Sequence, residues 1–248
     1  MPRSFNKVFC LGLSRTGTTS LCAGLESFGL KTIHYPIHIF TQSEVLGLPS
    51  FSPALKRGPY ASWRRGKELK ASRVGHDARR ILESHDAFGD LPVPLYFREL
   101  DRLYPGSIFI HTTRSIEPWI KSMEWLFDEG GVLWKRGQIG DELHQRVYGT
   151  TRFDEAALRE AFLRHESNVH EFFMRKGNCS LVLKVDAGEM TYEALARVLG
   201  VATDKSGLVP KMNEAQNVGV SDRVSLRWAK ATLLPRLALR TIRGRRLR

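Results

Sequence analysis

Gly12-Leu13-Ser14-Arg15-Thr16-Gly17-Thr18-Thr19 is the stretch that decides the fold. It follows the short apolar run Lys7 to Leu13, the signature of a strand buried on both faces. A helical pattern then starts at Thr18, with Leu21, Leu25 and Phe28 on one face and Gly29 as its stop. The glycines have the G-x-x-x-x-G spacing of a phosphate-binding loop, in which backbone N–H groups converge at a helix N-terminus. Thr18 stands where a loop handling ATP or GTP carries its lysine. The stretch therefore predicts a site for an anion other than a triphosphate, with Arg15 as its own cation.

Working outward, Thr32 to Tyr35 reads as a second strand, so the first elements form a βαβ unit and predict a parallel sheet. Residues 41–75, rich in Gly, Pro, Ser and basic side chains, read as a loop-rich insertion. Helices are expected over 79–83, 95–103, 117–127, 154–174 and 192–199, and strands over 107–113 and 180–185. Ala87-Phe88-Gly89-Asp90 reads as a short segment ending at Pro92. The expected fold is P-loop NTPase-like: a three-layer α/β/α domain with a central parallel sheet over residues 1–220, followed by a basic tail, 221–248.

Composition bounds the function classes. A chain of 248 residues with 42% hydrophobic and 26% charged side chains is long enough for a sizeable core. No apolar run approaches the roughly 20 residues of a membrane span, and the start lacks the apolar stretch of a secretory signal. Three scattered cysteines, Cys10, Cys22 and Cys179, do not make a disulfide framework. These features predict a cytoplasmic protein. The formal charge of +12 suggests a nucleic-acid binder at first sight. Nine of its cations lie between Arg223 and Arg248, where there is no acid, so the body carries only +3. No specific nucleic acid is expected. The tail, with apolar residues such as Leu226, Leu233 and Leu237 between its cations and a break at Pro235, is read as a docked or disordered segment. The alternatives are peripheral contact with acidic lipids and help in holding an anionic ligand.

A second site follows the strand at 107–113. Arg114 sits at its carboxyl end and Ser122 lies eight residues on, two turns into the next helix. Ligands of parallel α/β sheets bind beyond the carboxyl ends of strands, and the planar fork of Arg114 suits a phosphate. With both sites in place, the chain resembles the P-loop sulfotransferases that use 3′-phosphoadenosine 5′-phosphosulfate, and within them a compact sulfotransferase-like group. Arg15-Thr16-Gly17-Thr18-Thr19 matches their Lys/Arg-x-Gly-Thr-Thr/Ser loop. Arg114 and Ser122 match their Arg and Ser for the 3′-phosphate, and Pro105 to Arg114 with Pro118-Trp119 is similar in wording.

The resemblance implies transfer of a sulfuryl group to a hydroxyl or amine, with the phosphosulfate as donor co-substrate and no metal. It implies that Arg15 neutralises charge on the leaving phosphate, and that Arg15, Thr16, Gly17, Thr18, Thr19 and Ser20 hold the 5′ side. Arg114 and Ser122 would hold the 3′-phosphate. Asp90, two residues before Pro92, stands where cytosolic members carry a catalytic His, which makes it the candidate base, with His85 and Asp86 as neighbours to weigh. The acceptor is expected to be a small molecule, glycan or lipid, bound by the insertion and by loops around 128–153. Oligomeric state is left open.

Other patterns have plainer readings. His34 and His38 are spaced like a metal pair, but Pro36 lies between them and no third ligand is evident, so a structural or acceptor-pocket role is expected. Lys184 and Asp186 read as a surface ion pair, and Trp119, Trp125 and Phe127 as helix packing. Two other functions remain in view: a P-loop nucleotide or small-molecule kinase, against which Thr18 argues, and a non-catalytic nucleotide-binding protein with a membrane-surface tail.

Overall fold

Alternation along the first strand organises the molecule. In the computed structural model, which describes residues 4–36, 39, 43–48, 77–128, 139–176 and 180–212, β1 (Val8–Cys10) has all three residues buried. Successive side chains of a strand point to opposite faces. Phe9 joins one apolar cluster with Leu11, Phe88 and Phe109. Val8 and Cys10 join a second with Ala87, Ile108 and Ile110. A strand flanked by two cores needs helices on both sides, and that makes three layers.

The other elements are α1 (Thr18–Glu26), β2 (Thr32–His34), α2 (Asp77–Ser84), β3 (Ala87–Gly89), α3 (Val93–Leu103) and β4 (Ile108–Thr113). After them come α4 (Ile116–Asp128), α5 (Ile139–Tyr148), α6 (Glu155–Phe173), β5 (Ser180–Lys184) and α7 (Tyr192–Leu199). The sheet has the order β2-β3-β1-β4-β5 and every pairing is parallel. The α/β class and the parallel sheet agree with the sequence reading.

Two elements differ from it. Ala87-Phe88-Gly89 is a strand, β3, wedged between β2 and β1. Three residues are too few to show a period, so only its neighbours reveal it. Within 128–153, read as loops, residues 139–148 form α5, which packs on α6 and α3. Most of the insertion at 41–75, Cys179 and the tail at 221–248 lie outside the described residues. Among the described residues, Cys10 and Cys22 are buried free thiols, and no helix is long and apolar enough to cross a membrane.

Helix α6 also fixes the root of the loop. His165 Nε2 lies 2.7 Å from the carbonyl of Leu11, so that nitrogen donates to it. Burial, with a smaller push from His111, lowers the His165 pKa to about 4. A histidine held neutral in the fold but free to protonate when unfolded removes stability as pH falls. The window runs from the ordinary imidazole value of about 6.5 down to about 4, and the loss approaches about 3 kcal/mol at its lower end. A His165→Gln variant keeps an amide donor and cannot titrate. Urea unfolding at a series of pH values should show a flatter acid limb for it than for the parent.

Candidate active site

Because all five strands run parallel, their carboxyl ends meet at one edge, and each contributes to a single cavity of about 1060 Å³. In sheet order, β2 ends at His34, β3 leads into Asp90, β1 into Ser14 and Arg15, β4 into Arg114, and β5 into Asp186. The cavity is thus made by topology, out of residues scattered over most of the chain.

The loop after β1 is tightly built. A Cβ on Gly12 would lie 1.9 Å from Thr112 Oγ1 and 2.5 Å from Thr16 Oγ1, so only glycine fits. Gly17, at φ 87°, is the N-cap of α1 and leaves the first turn with no side-chain cap and no acidic residue. The early N–H groups of that turn have no helical acceptors of their own, and the positive end of the helix dipole favours an anion there. Thr18 and Thr19 face the cavity. Thr16 does not. It is 1% exposed, and its hydroxyl bonds to Leu13 O at 2.8 Å and meets Thr112 Oγ1 at 2.9 Å. Its side chain thus braces the loop from within. Ser20 lines the cavity but its Oγ accepts from Met212 N at 2.8 Å, which pins the 205–212 segment to α1.

Arg15 has a left-handed backbone, φ 71°, which turns its side chain back over the cavity. Its guanidinium lies over the Trp125 ring at 4.9 Å, and Nε donates to Ser122 Oγ at 2.8 Å. Burial and the nearby Arg114 charge lower its pKa, against an opposing pull from Asp90. Two cations held together in partial burial stabilise any anion that comes between them. Trp119, fully buried as expected of a packing residue, also donates from Nε1 to Ser14 O at 2.9 Å. Trp125 is more than packing, since it lines the cavity under Arg15.

Arg114 and Ser122 both line the cavity, but in this state Ser122 partners Arg15 and not Arg114. The Arg114 fork is engaged by Asp186 Oδ1 at 3.3 Å and by the Arg15 carbonyl at 3.4 Å. Its buried Nε has no partner among the described residues. Asp186 is itself fixed by the Ser115 N–H at 2.7 Å. The expected surface pair of Lys184 with Asp186 is therefore replaced by a pair at the cavity wall. A 3-10 turn at Val185–Ala187 directly after β5 points Asp186 inward.

Asp90 is nearly enclosed, has φ 66°, and is held rigidly: Oδ1 accepts from Ser14 Oγ and from Leu91 N, both at 2.7 Å. Its Oδ2 lies 3.2 Å from His34 Nε2. His85 and Asp86 sit at the opposite end of β3, where Lys7 Nζ bonds to the His85 carbonyl and Lys31 N to Asp86. Neither lines the cavity, so both leave the choice of base. Tyr148 OH accepts from Ser14 N at 3.2 Å. Burial first, and Asp90 second, push the phenols of Tyr148 and Tyr35 upward, so both stay neutral hydrogen-bonding groups.

Sequence reasoning missed Tyr35, Lys121, His144 and Lys211, which also line the cavity. For Lys121 a signal existed: Pro118, Lys121, Ser122 and Trp125 follow helical spacing on one face of α4. No comparable signal marks Lys211. His38, the second half of the suggested metal pair, lies outside the described residues. Among the described residues no three His, Cys, Asp or Glu side chains cluster so as to hold a metal ion.

A family model described as a sulfotransferase domain matches residues 7–218. The chain belongs to this sulfotransferase family. Its match runs from the start of β1 past the segment that closes over Ser20, so it takes in every wall of the cavity described above. A curated relative, Ava biosynthesis cluster protein M of Aspergillus versicolor, is 33% identical over 119 residues, which is 48% of this chain and 42% of that protein. The aligned stretch thus spans less than half of either protein.

Proposed function

We propose that the protein transfers a sulfuryl group from 3′-phosphoadenosine 5′-phosphosulfate to a hydroxyl or amine acceptor. The observation that carries this reading is the meeting of Arg15, the open first turn of α1, Arg114 and Asp90 around one cavity. The residues fit the donor. A helix N-terminus without an acid suits a 5′-phosphate, and Arg114, whose fork already holds one carboxylate, has an Nε with no partner among the described residues. The donor supplies a sulfuryl group joined to a phosphate leaving group. Arg15 neutralises the charge that grows on the departing phosphate oxygen, a stabilisation felt most in the transition state. Asp90 takes the acceptor proton on Oδ2, its one oxygen not engaged by Ser14 and Leu91. The acceptor binds on the side walled by Tyr35, Leu126 and His144.

Calorimetric titration of the full chain tests the donor. We expect 3′,5′-bisphosphoadenosine to bind at least about 30-fold more tightly than AMP, the worth of charge-assisted bonds to one phosphate. Arg114→Ala should remove most of that difference and leave AMP binding nearly unchanged. Equal affinities for the two nucleotides in the parent protein overturn the assignment of donor.

A further inference from the structure

Arg15 and Arg114 both line the cavity, and the fold restrains them by different means. Arg114 is held by a carboxylate, Asp186 Oδ1 at 3.3 Å. Arg15 forms no ion pair among the described residues. Its Nε donates to Ser122 Oγ at 2.8 Å, and its guanidinium lies over the Trp125 ring at 4.9 Å, inside the roughly 6 Å range of a cation–π contact. Ser122 and Trp125 are three residues apart on α4, so they share a face of that helix and meet one side chain together. Trp125 is half-buried and packs against the core cluster that contains Trp119 and Tyr148, which backs the ring as a platform.

The way Arg15 is held decides what it has left to give. A guanidinium is planar and carries five N–H donors in a fixed fork. Stacking uses its face, which donates nothing, and Ser122 takes the single hydrogen of Nε. Among the described residues Nη1 and Nη2 have no hydrogen-bond partner. Arg15 therefore keeps four donors and an uncompensated charge, whereas a carboxylate partner would take up both. The place is costly for a cation: the side chain is partly buried, the Arg114 charge is near, and the backbone is left-handed at φ 71°. Backbone of that kind persists only where its surroundings hold it. The negative face of an aromatic ring offsets the burial of a cation, more strongly as water is excluded. We propose that Trp125 is a positioning residue for Arg15, carrying the guanidinium by its face so that both terminal nitrogens stay open to the donor. This rests on the donor reading above and adds the residue that fixes the cation assigned to the leaving phosphate.

Titration and a spectroscopic label test it on the full chain. With 3′,5′-bisphosphoadenosine, Trp125→Leu should lose about tenfold in affinity, the worth of a partly desolvated cation–π contact. Trp125→Phe, which keeps an aromatic face, should recover most of it. In the Arg15→Ala background, Trp125→Leu should change affinity by less than about twofold, because the ring then has no cation to carry. Fluorine-19 spectra of protein labelled with 5-fluorotryptophan, with Trp125→Phe to assign the signal, should show the Trp125 resonance move in Arg15→Ala without any ligand. A Trp125→Leu protein that binds as the parent does overturns the proposal. So does an equal loss in both backgrounds, which would mark the ring as structural or as a direct contact of the nucleotide, and so does a Trp125 resonance that ignores Arg15→Ala. A parent protein that binds no nucleotide removes the donor reading and this proposal with it. The fluorine spectra tell that failure apart from a failure of the ring contact, since they are read in the free protein.

Discussion

Replacing Gly12 by alanine is expected to abolish nucleotide binding and to lower the melting temperature by several degrees, although only one methyl group is added. The new carbon would sit 1.9 Å from Thr112 Oγ1 and 2.8 Å from the Thr112 carbonyl. Neither neighbour can yield. The carbonyl is backbone of β4, paired on both edges, and the hydroxyl is tied to Thr16. The loop itself must move, and with it the start of α1. Overpacking of this kind costs about 1–3 kcal/mol, which shifts the midpoint of a domain of this size by a few degrees. The loss of binding should be larger than the loss of stability, because the N–H groups of the first turn act only in register. Differential scanning fluorimetry with and without 3′,5′-bisphosphoadenosine reads both. A variant that melts and binds like the parent would show that the loop has room the structure denies it.

Arg15→Ala should give the second large effect, with the opposite balance. The guanidinium stacks on Trp125 and bonds to Ser122, yet it supports no core residue. Its removal relieves the repulsion with Arg114 that helps lower its own pKa. Stability should therefore change by less than about 1 kcal/mol, because the relieved repulsion offsets the lost ring contact and hydrogen bond. Affinity for 3′,5′-bisphosphoadenosine should fall by about 100-fold, since a charge-assisted contact to phosphate is worth roughly 1.5–3 kcal/mol. Turnover should fall further, by about 100-fold to 1000-fold, if the charge is used mainly as the leaving group departs. A screen for sulfated products by mass spectrometry supplies the acceptor for that assay. An Arg15→Ala protein that lost stability and kept affinity would mark the residue as structural.

The parts of this site that were legible in the sequence are those where one local pattern carries the chemistry. The loop at 12–19 announces itself because its glycines, strand and helix are adjacent in the chain. Arg114 and Ser122 follow from a six-residue strand, apolar or β-branched at every position but His111, that is hard to misread. Asp90 was found by its distance from Pro92 and not by its strand, since three residues cannot display alternation. What stayed hidden depends on sheet order. That His34 touches Asp90 requires β2 to lie beside β3, and that Asp186 meets Arg114 requires β5 to lie beside β4. No local pattern encodes either neighbour. Trp125 and Lys121 were half legible: the helical face was visible, but which side of α4 met the cavity was not.

The Arg114–Asp186 pair changes what it means for an anion to arrive. The protein already places a carboxylate against this guanidinium, fastened by the Ser115 amide. A phosphate that takes the fork must turn that carboxylate out, so filling the position is an exchange of one anion for another. The net electrostatic gain is then smaller than a bare arginine would provide, and the affinity should respond less to salt. The displaced carboxylate has to go somewhere, and β5 is an edge strand with solvent on its far side. If the anion is the proposed donor's phosphate, departure of the spent nucleotide would be helped by the same competition, because a replacement counter-ion waits one residue beyond Val185. A site arranged in this way gives up tightness of grip in return for speed of release.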